Sequence, residues 1–243
     1  MLSIDDLLRD EAIDIHFQPI ISLKQQAIIG LEALARPHYA GVGTVFSQAA
    51  QEGRLLELDR LCRRKALENY QKLSLPKNPR PLLFLNFEAS IVDSGVVGSR
   101  VIINSVESMG LSPDDIVIEI NESKVADISA LIRFVNQYRE LGFLIALDDL
   151  GSEYSNLSRI IQLRPNIIKV DRGLISEIDH DFFKRQTMKS LVNLSRNIGS
   201  LVLAEGVENL AEVDTCALFG VEFFQGFYFA RPTAPDNLDL TMI

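Results

Sequence analysis

The chain has 243 residues, a formal net charge of −9, 47% hydrophobic and 23% charged residues, two cysteines and three histidines. That length supports one large core near the ~250 residues usual for a (β/α)8 barrel, while the acidic balance argues against a polymeric nucleic-acid partner, whose affinity draws on many Lys and Arg contacts to phosphates. The apolar runs fall short of the ~20 residues of a membrane span and the acidic start MLSIDDLLRDEAIDI has no basic n-region, so a cytoplasmic protein without a membrane segment or secretory signal is expected.

Residues 1–12 read as an opening helix. Strand-like runs at 13–21 and 28–35 follow, joined by the short link LKQQA as a hairpin. The helical stretch 55–73 carries Cys62 and the basic cluster Arg60, Arg63, Arg64 and Lys65, read as its solvent face. Strands at 82–87, 116–120, 143–147, 167–170, 201–204 and 222–224 then alternate with helices at 98–109, 128–141, 156–162, 181–198 and 210–219. The 128–141 helix has the apolar spacing Ile128, Leu131, Ile132, Val135, Tyr138. Gly110, Gly142 and Gly199 follow helices in the C′ position. Residues 236–243 read as a tail, and the whole chain as a single domain. Cys62 and Cys216, far apart on separate helices, read as reduced thiols. His16, His38 and His180 lack ligand spacing, which argues against a histidine zinc site.

Several later strands are continuous apolar runs, the mark of parallel strands buried on both faces. Alternating β and α units give either a doubly wound sheet or a barrel. Neither GxGxxG nor GxxxxGK[ST] occurs. Polar residues come instead from many strand ends, which suits loops converging at one end of a closed barrel. The expectation is an α/β, TIM-like (β/α)8 barrel modified by one antiparallel strand near the N-terminus.

Those strand ends carry Glu32 and Arg36, Asn86, Glu119 and Glu122, Asp148 and Asp149, Lys169 and Asp171, and Glu205 and Glu208. Two like charges ~4 Å apart repel by roughly 4 kcal/mol at an effective dielectric near 20, so carboxylates this numerous point to a bound metal cluster. Each has a plainer rival. Glu32 could be a rim acid, Asp148–Asp149 a capping turn, Lys169 a partner of Asp171, Asn86 a cap, and Glu208 a support for the 210–219 helix. Together, those rivals would make every acidic strand end a coincidence.

Quoted in order, the segments FQPI (17–20), EALAR (32–36), LNF with Asn86, EINE (119–122), DDLG (148–151), KVD (169–171), AEGVE (204–208) and QG (225–226) resemble the EAL domain, the bacterial cyclic di-GMP phosphodiesterase module. The resemblance spans Phe17 to Pro232 and implies hydrolysis of cyclic di-GMP to linear pGpG at a two-metal site holding Mg²⁺ or Mn²⁺. It implies metal ligation by Glu32, Asn86, Glu119, Asp148 and Asp149. Lys169 is then expected to hold the attacking water, Glu205 to assist at the second metal or as a base, and Glu122 to anchor the loop after Asp149. Gln18, Leu34, Arg36 and Gln225 are expected on the substrate, and a homodimer is common in the family. The chain departs from the family loop DDFGTGYSSL by reading DDLGSEYSNL, with Leu150, Glu153 and Asn156, and Asn121 stands where threonine is common. All expected ligands remain, which favours an enzyme over the alternative, a catalytically weak or silent cyclic di-GMP receptor. An enolase-like barrel, needing a Lys or His base pair, leaves EAL, DD and AEGVE unexplained.

Overall fold

In the computed structural model, residues 3–76, 79–94, 100–121, 127–151 and 157–241 are described. After α1 (Ile4–Asp10), β1 (Ile13–Ser22) and β2 (Ala27–Pro37) form an antiparallel hairpin. Helices α2 (Val42–Gln51) and α3 (Leu55–Lys72) lead to β3 (Leu82–Phe87). The order continues α4 (Arg100–Ser108), β4 (Ile116–Ile120), α5 (Ile128–Glu140), β5 (Leu144–Leu150), α6 (Leu157–Leu163), β6 (Ile167–Val170), α7 (Arg172–Ile175), α8 (Phe182–Ile198), β7 (Leu201–Ala204), α9 (Leu210–Phe219) and β8 (Phe223–Phe224). The eight strands close in sequence order, β2 to β8 parallel to their neighbours and β1 antiparallel to both β2 and β8. The expected barrel with one reversed strand is therefore what forms.

Period-2 alternation sorts the strand residues between two environments. Outward-facing Leu83, Leu85, Ile118, Ile145, Ile168 and Val202 join Leu67, Leu131, Phe134 and Val192 of the helices in the main core. Inward-facing Ile20, Phe84, Val117, Ala146, Ile167 and Leu203 make a separate apolar plug inside the lumen. Each large side chain so buried stabilises the fold by roughly 1.5–3 kcal/mol. Gly30 completes the plug by what it lacks: a Cβ there would stand 2.5 Å from the Phe84 ring, so the β2 position is left open for it.

Helix α2 was not expected, because GVGTVF mixes glycine with β-branched residues, and its start at Gly41 has no side-chain cap. The basic cluster of α3 also divides. Arg64 pairs with Glu11 and Glu68, and Lys65 donates to the Glu11 carbonyl. Arg63 does not face solvent: it is 11% exposed, pairs with Asp59 one turn earlier, and lies 3.8 Å above the Phe87 ring. Cys62 and Cys216 are free thiols on α3 and α9. No helix among the described residues is long and apolar enough to cross a membrane.

Candidate metal centre

Two residues beyond the apolar plug, the same strands turn polar. Glu32 follows Gly30 on β2, Asn86 follows Phe84, Glu119 follows Val117, Asp148 follows Ala146, Lys169 follows Ile167 and Glu205 follows Leu203. Register pairs Gln18 with Glu32 and Asn86 with Glu119, so the polar residues form one layer at the open end. Lys169, 1% exposed, sits at its centre. Its ammonium lies 2.5 Å from Glu119, 2.6 Å from Glu205, 3.1 Å from Asp148 and 3.7 Å from Glu32.

Glu32 is held from several sides. Asn86 Nδ2 donates to its Oε1 at 3.0 Å, and Gln225 Nε2 donates to its Oε2 at 2.6 Å. The same Gln225 amide reaches Gln18 Oε1 at 3.3 Å, and Gln18 donates onward to the Ala230 carbonyl at 3.0 Å. Gln225 depends on its glycine neighbour, since a Cβ at Gly226 would overlap the Val207 backbone where the β8 end passes beneath the AEGVE loop. There the Val207 N–H donates to the Gln225 carbonyl at 3.1 Å.

Adjacent strand residues should face opposite sides, yet both Asp148 and Asp149 line the same cavity. The cause is a break in the β5–β6 register between Leu147 and Leu150, with Asp149 in the left-handed region at φ 58°. Such bulges re-aim side chains beside sites, and Asp tolerates this backbone better than most residues. Asn121 donates to the Asp149 carboxylate and fixes its orientation. Both aspartates therefore belong to β5, which runs on to Leu150.

Two cavities open on the polar layer, of about 250 Å³ and about 350 Å³, sharing Glu32, Leu34 and Asp148 as walls. Arg36 lines the smaller, donating to the Ala35 carbonyl at 2.9 Å. Burial lowers its pKa, against the opposing charge of Glu32. Gln18, Gln225, Asp171 and Glu208 line the larger. Asp171 also caps α7, accepting from the Gly173 N–H. Glu208 pairs with Arg172 at 2.8 Å, and its N–H is held by buried Glu212 at 2.8 Å.

One ammonium against the four carboxylates around it leaves an excess of three negative charges if all ionise. Burial, then the Glu32 charge, pushes Glu119 well above the usual carboxylate range despite Lys169. Burial does the same to Glu205, with Lys169 opposing and Asp148 adding. Asp149 is raised by burial and by Asp148 beside it. Burial pulls Lys169 down, but Asp148, Glu119, Glu205 and Glu32 outweigh it and hold the ammonium well above the ordinary lysine range. Divalent cations would remove the excess that protons otherwise cover.

The residues fit such cations. Glu119 Oε2 is buried with no hydrogen-bond partner among the described residues, while buried Glu119 Oε1 and Asp148 Oδ1 face the Lys169 ammonium at 2.5 and 3.1 Å. Oxygens of Asp148, Asp149 and Glu205 lie within 4.8 Å of one another. Every donor is a carboxylate or amide oxygen, the set that suits Mg²⁺ or Mn²⁺ rather than Zn²⁺.

The structure thus gathers Gln18, Glu32, Leu34, Asn86, Glu119, Asp148, Asp149, Lys169, Glu205 and Gln225 at one end of the barrel, with Arg36 at its edge. Glu122, expected to anchor a loop, lies outside the described residues, as do Glu153 and Asn156. Sequence reasoning gave no role to Asn121 or Arg172. Their only signal was position, one residue past the strand acid Glu119's neighbour Ile120 and one past Asp171.

The EAL domain profile matches residues 2–232. The probable cyclic di-GMP phosphodiesterase PdeB of Escherichia coli K12 is 26% identical over 233 residues, covering 94% of this chain and 44% of PdeB. The chain therefore spans less than half the length of that relative. Among solved structures, a standalone versatile EAL protein from Vibrio cholerae O395, in its c-di-GMP-bound form, is 33% identical with a TM-score of 0.81, covering 92% of this chain and 93% of the other. The calcium and cyclic di-GMP complex of Klebsiella pneumoniae BlrP1 is 29% identical with a TM-score of 0.82, covering 92% and 56% respectively. With a matching profile over nearly its whole length and the motif residues converging on one site, the chain belongs to the EAL domain family.

Proposed function

We propose that the chain is a metal-dependent phosphodiesterase that hydrolyses cyclic di-GMP to linear pGpG. The observation that carries this reading is the oxygen-donor layer around buried Lys169, in which one ammonium faces four carboxylates and Glu119 Oε2 is buried without a hydrogen-bond partner among the described residues. Glu32, Asn86, Glu119 and Asp148 would hold one cation, and Asp148, Asp149 and Glu205 a second. Two such ions lower the pKa of a bound water and polarise the phosphodiester. Lys169, fixed between Glu119 and Glu205, directs its positive charge at the attacking water and at charge developing on phosphate. Arg36 supplies a guanidinium suited to two phosphate oxygens, and Leu34 an apolar wall for the substrate. Gln225 orients Glu32 by donating to its Oε2, Gln18 accepts from the same amide, and both glutamines also face the cavity. The names of PdeB and of the two cyclic di-GMP complexes support this choice of substrate.

Cytoplasmic residence and a homodimer belong to the same reading. Exposed Leu157 and Ile161 on α6, beside a groove lined by Leu150, Leu174 and Leu191, are the apolar surface that supports self-association.

The deciding experiment incubates purified protein with cyclic di-GMP and Mg²⁺ or Mn²⁺ and separates products by chromatography. Linear pGpG should form, and should disappear in Glu32→Ala and on chelation. Intact substrate that still binds by calorimetry would make the chain a receptor. Neither binding nor turnover would remove cyclic di-GMP as its ligand.

A further inference from the structure

Two buried charges outside the acid cluster have no part in the chemistry above. Asp59 and Arg63, with side chains 3% and 11% exposed, pair one turn apart on α3. Asp59 Oδ1 accepts the backbone N–H of Glu88 at 3.2 Å, and the Arg63 guanidinium covers Phe87 at 3.8 Å. Phe87 and Glu88 are the two residues after Asn86. The β3–β4 ladder ends at Phe87 opposite Ile120, so the Glu88 N–H is the first beyond it, and Asp59 takes over where the sheet stops. Asn86 itself is exposed to the cavity, with its Nδ2 bonded to Glu32. That bond commits the amide nitrogen and leaves Oδ1 as the atom available to a cation.

Stability alone does not explain the pair. An apolar pair of similar volume commonly matches or exceeds a buried ion pair. What leucine and methionine cannot offer is an acceptor for the Glu88 N–H. Asp59 and Arg63 also wall the cavity of about 250 Å³ onto which Glu32, Asn86 and Arg36 open.

We infer that Asp59 is a positioning residue: it fixes the backbone just beyond Asn86 and so aims the Asn86 amide oxygen at the metal centre, while Arg63 over Phe87 balances its buried charge. The inference rests on the proposed metal site and is read on metal affinity as well as turnover.

The test compares wild type with the double variants D59L/R63M, which has no acceptor, and D59N/R63M, which keeps one and buries no charge. Mn²⁺ affinity is measured by calorimetry and electron paramagnetic resonance without substrate. Exchange of the Glu88 amide hydrogen, kcat and KM are read alongside. D59L/R63M should bind Mn²⁺ roughly 10–100-fold more weakly, as loss of groups supporting metal ligands typically does. Its kcat should fall with KM held, and its Glu88 amide should exchange faster, while D59N/R63M recovers all three. Equal Mn²⁺ affinity in D59L/R63M and wild type overturns the inference, and so does an equal loss in both double variants. Linkage adds a test needing no variant: if Asp59 acts through this backbone, Mn²⁺ must slow Glu88 exchange in the wild type. Exchange that ignores Mn²⁺ overturns the inference even if the apolar pair fails to fold. Wild type that binds Mn²⁺ without turnover removes the phosphodiesterase reading, and the Mn²⁺ titrations then decide this one separately.

Discussion

Two layers of the same barrel lumen, one strand repeat apart, are built on opposite principles. The lower layer, with Phe84, Val117, Ala146, Ile167 and Leu203, is held by close packing and needs nothing from solution. The upper, with Glu32, Glu119, Asp148, Lys169 and Glu205, is held by one ammonium that balances only part of the charge facing it. The contrast separates two demands on a barrel. The plug fixes strand spacing, and the layer above it can then stay electrostatically incomplete without the strands moving apart.

Removing the ammonium should do the greatest damage. Lys169→Met strands four carboxylates, and deleting one partner of a buried ion pair costs about 3–5 kcal/mol. Denaturation in chelator should register that loss, Mn²⁺ should recover much of it, and turnover should vanish in either case. Unchanged stability in chelator would mean the ammonium does not hold the layer together. Phe84→Ala should cost a similar ~3–5 kcal/mol through the cavity it leaves, but with Mn²⁺ affinity unchanged. A large fall in affinity would show that the two layers are not independent. Gly30→Ala forces a methyl against the Phe84 ring and should cost about 1–3 kcal/mol, read as a lowered unfolding midpoint with or without metal.

The gentlest probe is pH. Glu119 and Glu205 are raised above the usual carboxylate range in the metal-free protein. Between that range and their raised values the native state binds more protons than the unfolded chain, so stability falls as pH rises through this window. Each such proton contributes at most about 1.4 kcal/mol per pH unit. Lys169, raised in its turn, contributes stability that is lost only above the ordinary lysine range. Denaturant unfolding across pH should show the falling limb in chelator and a flatter one with Mn²⁺, and a rising limb would contradict the charge assignment.

The barrel and most of its polar layer were legible because strand alternation is local: a polar residue two places after an apolar one, on strand after strand, marks a single layer. Long-range closure was not. Gln225 meets Glu32 across 193 residues and Gln18 across 207, contacts that exist only because β1 and β8 join. The Asp149 bulge was equally hidden, since alternation predicts that one of two adjacent aspartates turns away. Arg63 was misread because its neighbours Arg60, Arg64 and Lys65 resemble a wetted face, although Asp59 four residues earlier was a usable cue to burial. Helix α2 was missed because nothing in its glycine-containing start announces a cap.

The reversed first strand has an architectural consequence. In an ordinary parallel barrel the first strand starts at the floor, remote from the loops that handle substrate. Here Ile13, where β1 begins, lies opposite Pro37, where β2 ends, so the strand starts at the mouth. Just ahead of it, α1 docks through Ile4 and Leu7 onto Val45 and Leu58 of α2 and α3. Any polypeptide joined ahead of α1 would emerge beside the mouth, where a rotation or pull could reach the EALAR strand through a single hairpin.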